Sequence, residues 1–318
     1  MKRLLLSAAL TAVVAASANA APLSLTGDYV RVGISDYGTL GSNGTTSPGI
    51  LHDSSGTRNF APGGVPNDYL TPGSPSEGFG LYSTQTGFIR NNNYGLGQFG
   101  LHSPTLLSGA DALGYDNAAS WTANFGGLVS ITNSYFFNNG DERVLIHSVI
   151  TALGSLSNLA FSRHLDPDPD VNRFGSYDTV NTRGNTLYSP ENLVSAAGQQ
   201  TGLTIGLLNL QDQYRSNTRI DLDCCITVNP LTVLPGFGPI FGSETPSNSG
   251  DYGIHMAWDI GDLAAGESAT ITYAYVMGER QSDVGGGGGN EVPEPASLAL
   301  LGLGLAGLGA LRRRARKA

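Results

Sequence analysis

Three carboxylates stand at alternate positions in Asp166-Pro167-Asp168-Pro169-Asp170, followed by Val171 and Asn172. The two prolines favour an extended backbone, and an extended chain sends every second side chain to one side. Oxygens gathered in this way suit a hard cation. Calcium takes roughly six to eight oxygen ligands and tolerates irregular geometry. The candidate calcium ligands are Asp166, Asp168, Asp170 and Asn172, with Asp178 as an alternative last member. The plainer reading is a solvated acidic turn after a strand, with Arg163 pairing one carboxylate. It is preferred here, because carboxylate clusters are common on acidic surfaces. Calcium is therefore an optional cofactor rather than an expected one.

The loop fails the EF-hand pattern, since Val171 stands where that loop needs Gly and Tyr177 where it needs Glu. A second chemical feature is Cys224-Cys225, the two cysteines of the chain. Outside the cytoplasm thiols tend to pair. Neighbouring Cα atoms lie about 3.8 Å apart, below the usual disulfide span, and neighbours on a strand face opposite ways. A vicinal disulfide and two separately buried thiols therefore stand level. Adjacent cysteines with no further Cys and no suitably spaced His make a poor metal site.

The five histidines, His52, His102, His147, His164 and His255, form no HExxH pattern. There is no GxSxG elbow and no phosphate-binding G-x-x-x-x-G-K. His164 and Asp166 share a face in any strand by period alone. A glycosidase needs only two carboxylates brought together by the fold, and 26 acidic residues leave that open. Trp121 and Trp258 could stack on sugar rings, but core packing is the better default for them. No catalytic residue is assigned, and the expectation is a protein that is not an enzyme.

The two ends read as addresses. Met1-Lys2-Arg3, an apolar run from Leu4 to Ala16 and Ala18-Asn19-Ala20 have the order of a secretory signal peptide. Cleavage is expected after Ala20, with Ala18 and Ala20 forming the small-residue site. At the other end, Gly285 to Gly289 is followed by Val292-Pro293-Glu294-Pro295-Ala296-Ser297. An uncharged stretch then runs to Leu311, and the basic cluster Arg312, Arg313, Arg314, Arg316 and Lys317 closes the chain. The apolar stretch is at the short limit for a membrane span. The basic tail places the body outside and the tail in the cytoplasm.

Motif, short apolar helix and Arg-rich end in that order resemble the PEP-CTERM sorting signal. The resemblance covers about the last 27 residues. It implies export through the Sec machinery of a Gram-negative bacterium that makes exopolysaccharide. It also implies cleavage near Val292, Pro293, Glu294 and Pro295 by an exosortase-type transpeptidase, so that the membrane helix is transient. The expected organisation is a signal peptide over 1–20, a body over 21–284, a Gly-rich linker over 285–291 and a sorting signal over 292–318. Setting aside the signal peptide and the basic tail leaves 10 basic residues against 26 acidic ones and no lysine. Such a body has no Schiff-base or P-loop lysine and a poor surface for nucleic acid.

Between the addresses no long 3.6-residue periodicity appears. Alternating β-rich runs do, divided by Gly, Asn, Asp, Ser and Pro clusters. Expected strands include Tyr29–Ile34, Tyr94–Leu101, Leu128–Phe137, Val144–Leu153, Leu159–His164, Arg219–Val228, Tyr252–Trp258 and Ala269–Met277. Asn138-Asn139-Gly140-Asp141 and Gly154-Ser155-Leu156-Ser157-Asn158 carry hairpin chemistry. The fold class expected is all-β, an antiparallel β-sandwich. Val144 to Asp170, with the opening Thr26 to Ile34, is similar to β-sandwich domains of secreted bacterial proteins and to the mutarotase-like supersandwich of carbohydrate-active enzymes. The function expected is a surface or extracellular-matrix protein associated with exopolysaccharide or biofilm. The competing expectation is an extracellular carbohydrate-active enzyme or a lectin-like module.

Overall fold

Alternation of apolar and polar side chains converts directly into strands with one buried face. The computed structural model describes residues 23–71, 76–93, 95, 97–222, 224–225, 229–242 and 248–285. Ala18, Ala20, the sorting residues Val292 to Pro295 and the apolar stretch after them lie outside the described residues. No helix among the described residues is long and apolar enough to cross a membrane.

Three antiparallel sheets make up the body. A small one joins β1 (Leu23–Thr26), β2 (Val30–Ile34) and β3 (Ile50–His52). A five-stranded sheet contains β4 (Ser76–Ser83), β5 (Gly87–Asn92), β10 (Leu156–Asp166), β14 (Arg215–Asp221) and β16 (Gly253–Leu263), in the order β14-β16-β10-β4-β5. A nine-stranded sheet takes the rest. These are β6 (Thr105–Leu106), β7 (Asn117–Phe125), β8 (Val129–Phe137), β9 (Arg143–Ala152), β11 (Thr179–Arg183), β12 (Leu193–Gly198), β13 (Thr204–Asn209), β15 (Ser249–Gly250) and β17 (Ser268–Gly278). Their order is β15-β11-β12-β13-β17-β9-β8-β7-β6. The only α-helices among the described residues are single turns, α1 (Val171–Phe174) and α2 (Pro230–Val233). The all-β sandwich is the fold observed.

The Asn138–Asp141 turn does join the paired strands β8 and β9. The second turn differs from expectation. β9 pairs with β8 and β17, while β10 pairs with β4 and β16, so Gly154–Asn158 carries the chain from one sheet to the other. The turn between β16 and β17 does the same, with β16 in the five-stranded sheet and β17 in the nine-stranded one. Asn158 at φ 53° and Gly266 at φ 90° bend the two crossings. Turn chemistry reports that a chain bends, not which sheet it enters next. Two expected strands also moved. Among the described residues of 94–101 the ladder contact is the single bridge of Gly97 to Asn91. The strand expected over Arg219–Val228 is β14, which ends before the cysteines.

The sheets meet over an aromatic core. Trp258 packs on Tyr273 with centroids 4.9 Å apart and on Phe161 at 5.9 Å. Inside it sits an ion pair. Arg163 of β10 donates through Nε to Glu77 of β4, and both side chains are fully buried. Glu77 also accepts from the Tyr275 hydroxyl at 2.6 Å and from the Leu40 amide at 2.6 Å. Burial pushes the Glu77 carboxyl above its ordinary range, and these donors oppose that shift. Arg163 does not pair the acidic turn, contrary to the preferred sequence reading.

The loop bearing Leu40 docks through Gly38. Its carbonyl accepts from Tyr135 at 2.7 Å and Asn133 at 3.0 Å, and a Cβ there would lie 2.2 Å from the Trp121 ring. Glycine is required at that contact, and its φ of 68° suits it too.

Breaking a buried pair leaves one charge without compensation, at a cost of about 3–5 kcal/mol, whereas an apolar replacement of both is far cheaper. Glu77→Ala is therefore expected to lose about that much stability in chemical denaturation, and the double variant Glu77→Leu with Arg163→Met markedly less. Equal losses would show that the pair matters by volume alone.

Candidate functional site

β10 ends at Asp166, and Pro167 and Pro169 carry the chain onward in extended form. The Asp168 amide donates to the Tyr69 carbonyl at 2.8 Å, which pins the segment against the body. Asp166 and Asp168 are 2% and 1% exposed. The turn is thus buried, not solvated. Both carboxylates line a cleft of about 210 Å³ together with Asp251, Tyr177 and Cys224-Cys225. One oxygen from each of Asp166, Asp168 and Asp251 can be chosen so that all three lie within 4.8 Å of one another. Oδ1 of Asp166 and Oδ1 of Asp168 are buried and have no hydrogen-bond partner.

The alternation stops at Asp170. Its backbone turns to φ −94°, ψ −12° at the start of α1. The carboxylate swings to the next turn, where it accepts from the Gln200 amide at 2.8 Å and from the Thr201 amide and hydroxyl at 3.1 and 2.5 Å. Asn172 donates to the Pro66 carbonyl at 3.0 Å. Of the four residues singled out in the sequence, the structure brings Asp166 and Asp168 together and gives Asp170 and Asn172 other partners. Asp251 was missed. It stands just before β16, and only the pairing of β16 with β10 places it here. No local signal in Gly250-Asp251-Tyr252 announces it.

Crowding shows in the proton affinities. Burial, and then the Asp251 charge, pushes Asp166 up to about 7. Burial, and then Asp166 and Asp251, pushes Asp168 up to about 9. Asp251 is raised by burial and then by Asp178, so a fourth carboxylate lies close by.

Cys224 and Cys225 are joined as a vicinal disulfide. Cys225 takes φ 68°, a left-handed conformation that departs from a strand and lets neighbouring sulfurs meet. Its Sγ lies 3.0 Å from Asp166 Oδ2. Bonded sulfurs hold no thiolate, so the donors lining the cleft are carboxyl oxygens, the type preferred by calcium, magnesium and manganese.

Deeper along the same face, His164 stacks on His255 with centroids 5.6 Å apart, and Ser76 Oγ bonds His164 Nε2 at 2.8 Å. This serine and histidine make no open nucleophilic site, since Ser76 is 3% exposed and His164 1%. His255 has no hydrogen-bond partner on either nitrogen. Trp121 and Trp258 are both buried in the core.

Residues 291–314 match the family model for the PEP-CTERM protein-sorting motif. The chain carries a PEP-CTERM sorting motif. That motif marks an exported protein sorted by an exosortase. No curated protein matches the chain in sequence. Among solved structures, a GalM/aldose epimerase homologue from C. elegans aligns at 11% identity and TM-score 0.39, over 81% of this chain and 100% of the other. A heparan sulfate lyase mutant from Pedobacter heparinus aligns at 11% and 0.34, over 62% of this chain and 23% of the other. A TPR-domain containing protein from Parabacteroides distasonis aligns at 11% and 0.40, over 85% and 48%. Likeness this distant carries no activity or site across.

Two outcomes follow for this face. The denatured, unreduced protein should show no alkylatable thiol until reductant is added; labelling without reductant would contradict the Cys224–Cys225 bond. Burial holds His255 down at about 4, against an unperturbed 6.5, with Asp221 opposing the shift and Arg219 adding to it. The stacked His164 is itself held well below the ordinary range. Between these two values the unfolded chain binds the proton and the folded one does not, so this group's contribution to stability falls as pH drops from about 6.5 to 4. His255→Phe should make the decline of unfolding free energy over that window shallower than in the parent, and an unchanged slope would refute the assignment.

Proposed function

We propose that this chain is a non-catalytic surface or extracellular-matrix protein that associates with exopolysaccharide, as in a biofilm. The observation that carries the reading is the sorting motif at residues 291–314 fused to an acidic all-β body. Before processing, the C-terminal apolar stretch holds the protein at the inner membrane. After an exosortase-type enzyme cuts near Pro293-Glu294-Pro295, the body is at the surface or free outside. Nucleic acid is not a partner on this reading, since phosphate contacts need basic groups that a body with 10 Arg and no Lys largely lacks. The Ser76–His164 contact supports the non-catalytic reading, because both side chains are closed off from solvent.

One observation favours a second reading, an extracellular carbohydrate-active enzyme. Asp168 and the more exposed Asp251 line one cleft with oxygens within 4.8 Å of each other, and two carboxyl groups brought together by the fold are what glycoside cleavage uses. The buried positions of Trp121 and Trp258 weigh against a lectin built on those rings.

The test is co-sedimentation of the exported protein with the producing organism's own exopolysaccharide, with polymer length followed over time. Saturable pelleting with unchanged length is expected. Shortening of the polymer would replace this reading with the enzymatic one. Neither pelleting nor shortening would remove the polymer as the partner.

A further inference from the structure

We propose that Asp166, Asp168 and Asp251 form a calcium site that ties the end of β10 to the segment entering β16. The proposal is independent of the polymer reading and stands or falls without it.

An acidic cluster alone would not carry this. The second observation is that two of the carboxylates are almost wholly buried and each keeps an oxygen without any partner, at a cleft. Buried polar atoms are otherwise satisfied as a rule, and two unpartnered oxygens on residues that line one cleft call for an ion or ordered water. Three carboxylate groups whose oxygens lie within 4.8 Å of one another also repel strongly when ionised. A divalent cation turns that repulsion into attraction.

The choice of metal follows from the donors and the space. The cysteine sulfurs at the rim are bonded to each other, so the site offers no thiolate for zinc or copper. Magnesium demands near-ideal octahedral geometry and keeps its water, whereas calcium accepts mono- and bidentate carboxylates in irregular arrangements. Three carboxylates supply between three and six oxygens, and the cleft leaves room for water to complete the shell. Exported proteins meet calcium at concentrations where a Kd of about 10⁻⁴–10⁻³ M is sufficient. Asp178, close enough to raise Asp251, adds negative charge nearby.

The test uses the full-length chain in detergent, stripped with chelator. Calcium alone is titrated by calorimetry, and terbium is titrated as a luminescent probe excited through Tyr177 at the rim. Saturable single-site calcium binding with Kd about 10⁻⁴–10⁻³ M is expected, with a rise in Tm, because a ligand of the folded state stabilises it. Asp168→Asn should weaken binding at least tenfold. Asp251→Asn, at a half-buried position where misfolding is less of a risk, should do the same, while Asp111→Asn at an exposed position should leave it unchanged. Magnesium at equal concentration should not displace terbium. Absence of calcium binding at millimolar concentration, retained binding in both site variants, or equal binding of magnesium would each overturn the assignment.

Discussion

The buried pair of Arg163 and Glu77 is the constraint on which the arrangement of the sandwich turns. A charge in an apolar core is costly unless a partner and further hydrogen bonds compensate it. Here the compensation comes from every layer. Glu77 and Arg163 belong to adjacent strands of the five-stranded sheet, Tyr275 to the nine-stranded one, and Leu40 to the loop that follows β2. Arg163 also lies about 6.0 Å over the rings of Phe79, Tyr135 and Tyr275. The pair meets these partners only when both sheets and the loop are in place. It therefore ties the register of β10 to the closure of the whole body.

That register decides what the opposite face of β10 presents. Side chains alternate along a strand, so with Arg163 inward, His164 and Asp166 must face the other way. A slip of one residue would place the charge outside and the carboxylate in the core. The outer face is not left to solvent. Val233 and Leu234 at α2 pack on Ala160 and Ala257, and the disulfide lies against Asp166. The cover explains why two histidines are buried and uncharged there. It ends at the carboxylate cleft, where three segments converge without a complete set of hydrogen-bond donors.

Charge is distributed to match an exported life. Several of the arginines in the body are already engaged, Arg163 with Glu77, Arg58 with Asp28, Arg215 with Asp259 and Arg219 with Asp221. The exposed pairs add little stability, since water and salt screen them. What remains on the outside is predominantly acid. Such a surface keeps a secreted protein soluble and draws divalent cations toward it.

The C-terminal sorting motif and the β character of the middle of the chain were legible from the amino-acid order alone. The Pro-Glu-Pro motif and the basic tail after it are read locally. Period-two alternation in Val129–Phe137 and Val144–Ala152 likewise depends only on neighbours along the strand. What needed the tertiary structure was every matter settled between distant segments. Gly154–Asn158 bends the chain, but only the pairing of β10 with β4 and β16 shows that the bend changes sheets. The sequence put Asp166, Asp168 and Asp170 on one side, yet the turn into α1 sent Asp170 to Thr201. Asp251 arrived from the segment between β15 and β16 to take a place in the cluster. Arg163 looked like a partner for the acidic turn and lies in the core with Glu77. Local chemistry determines which conformations a segment can hold, whereas the partners of a buried charge are chosen by long-range packing, where the cost of leaving it unpaired is greatest.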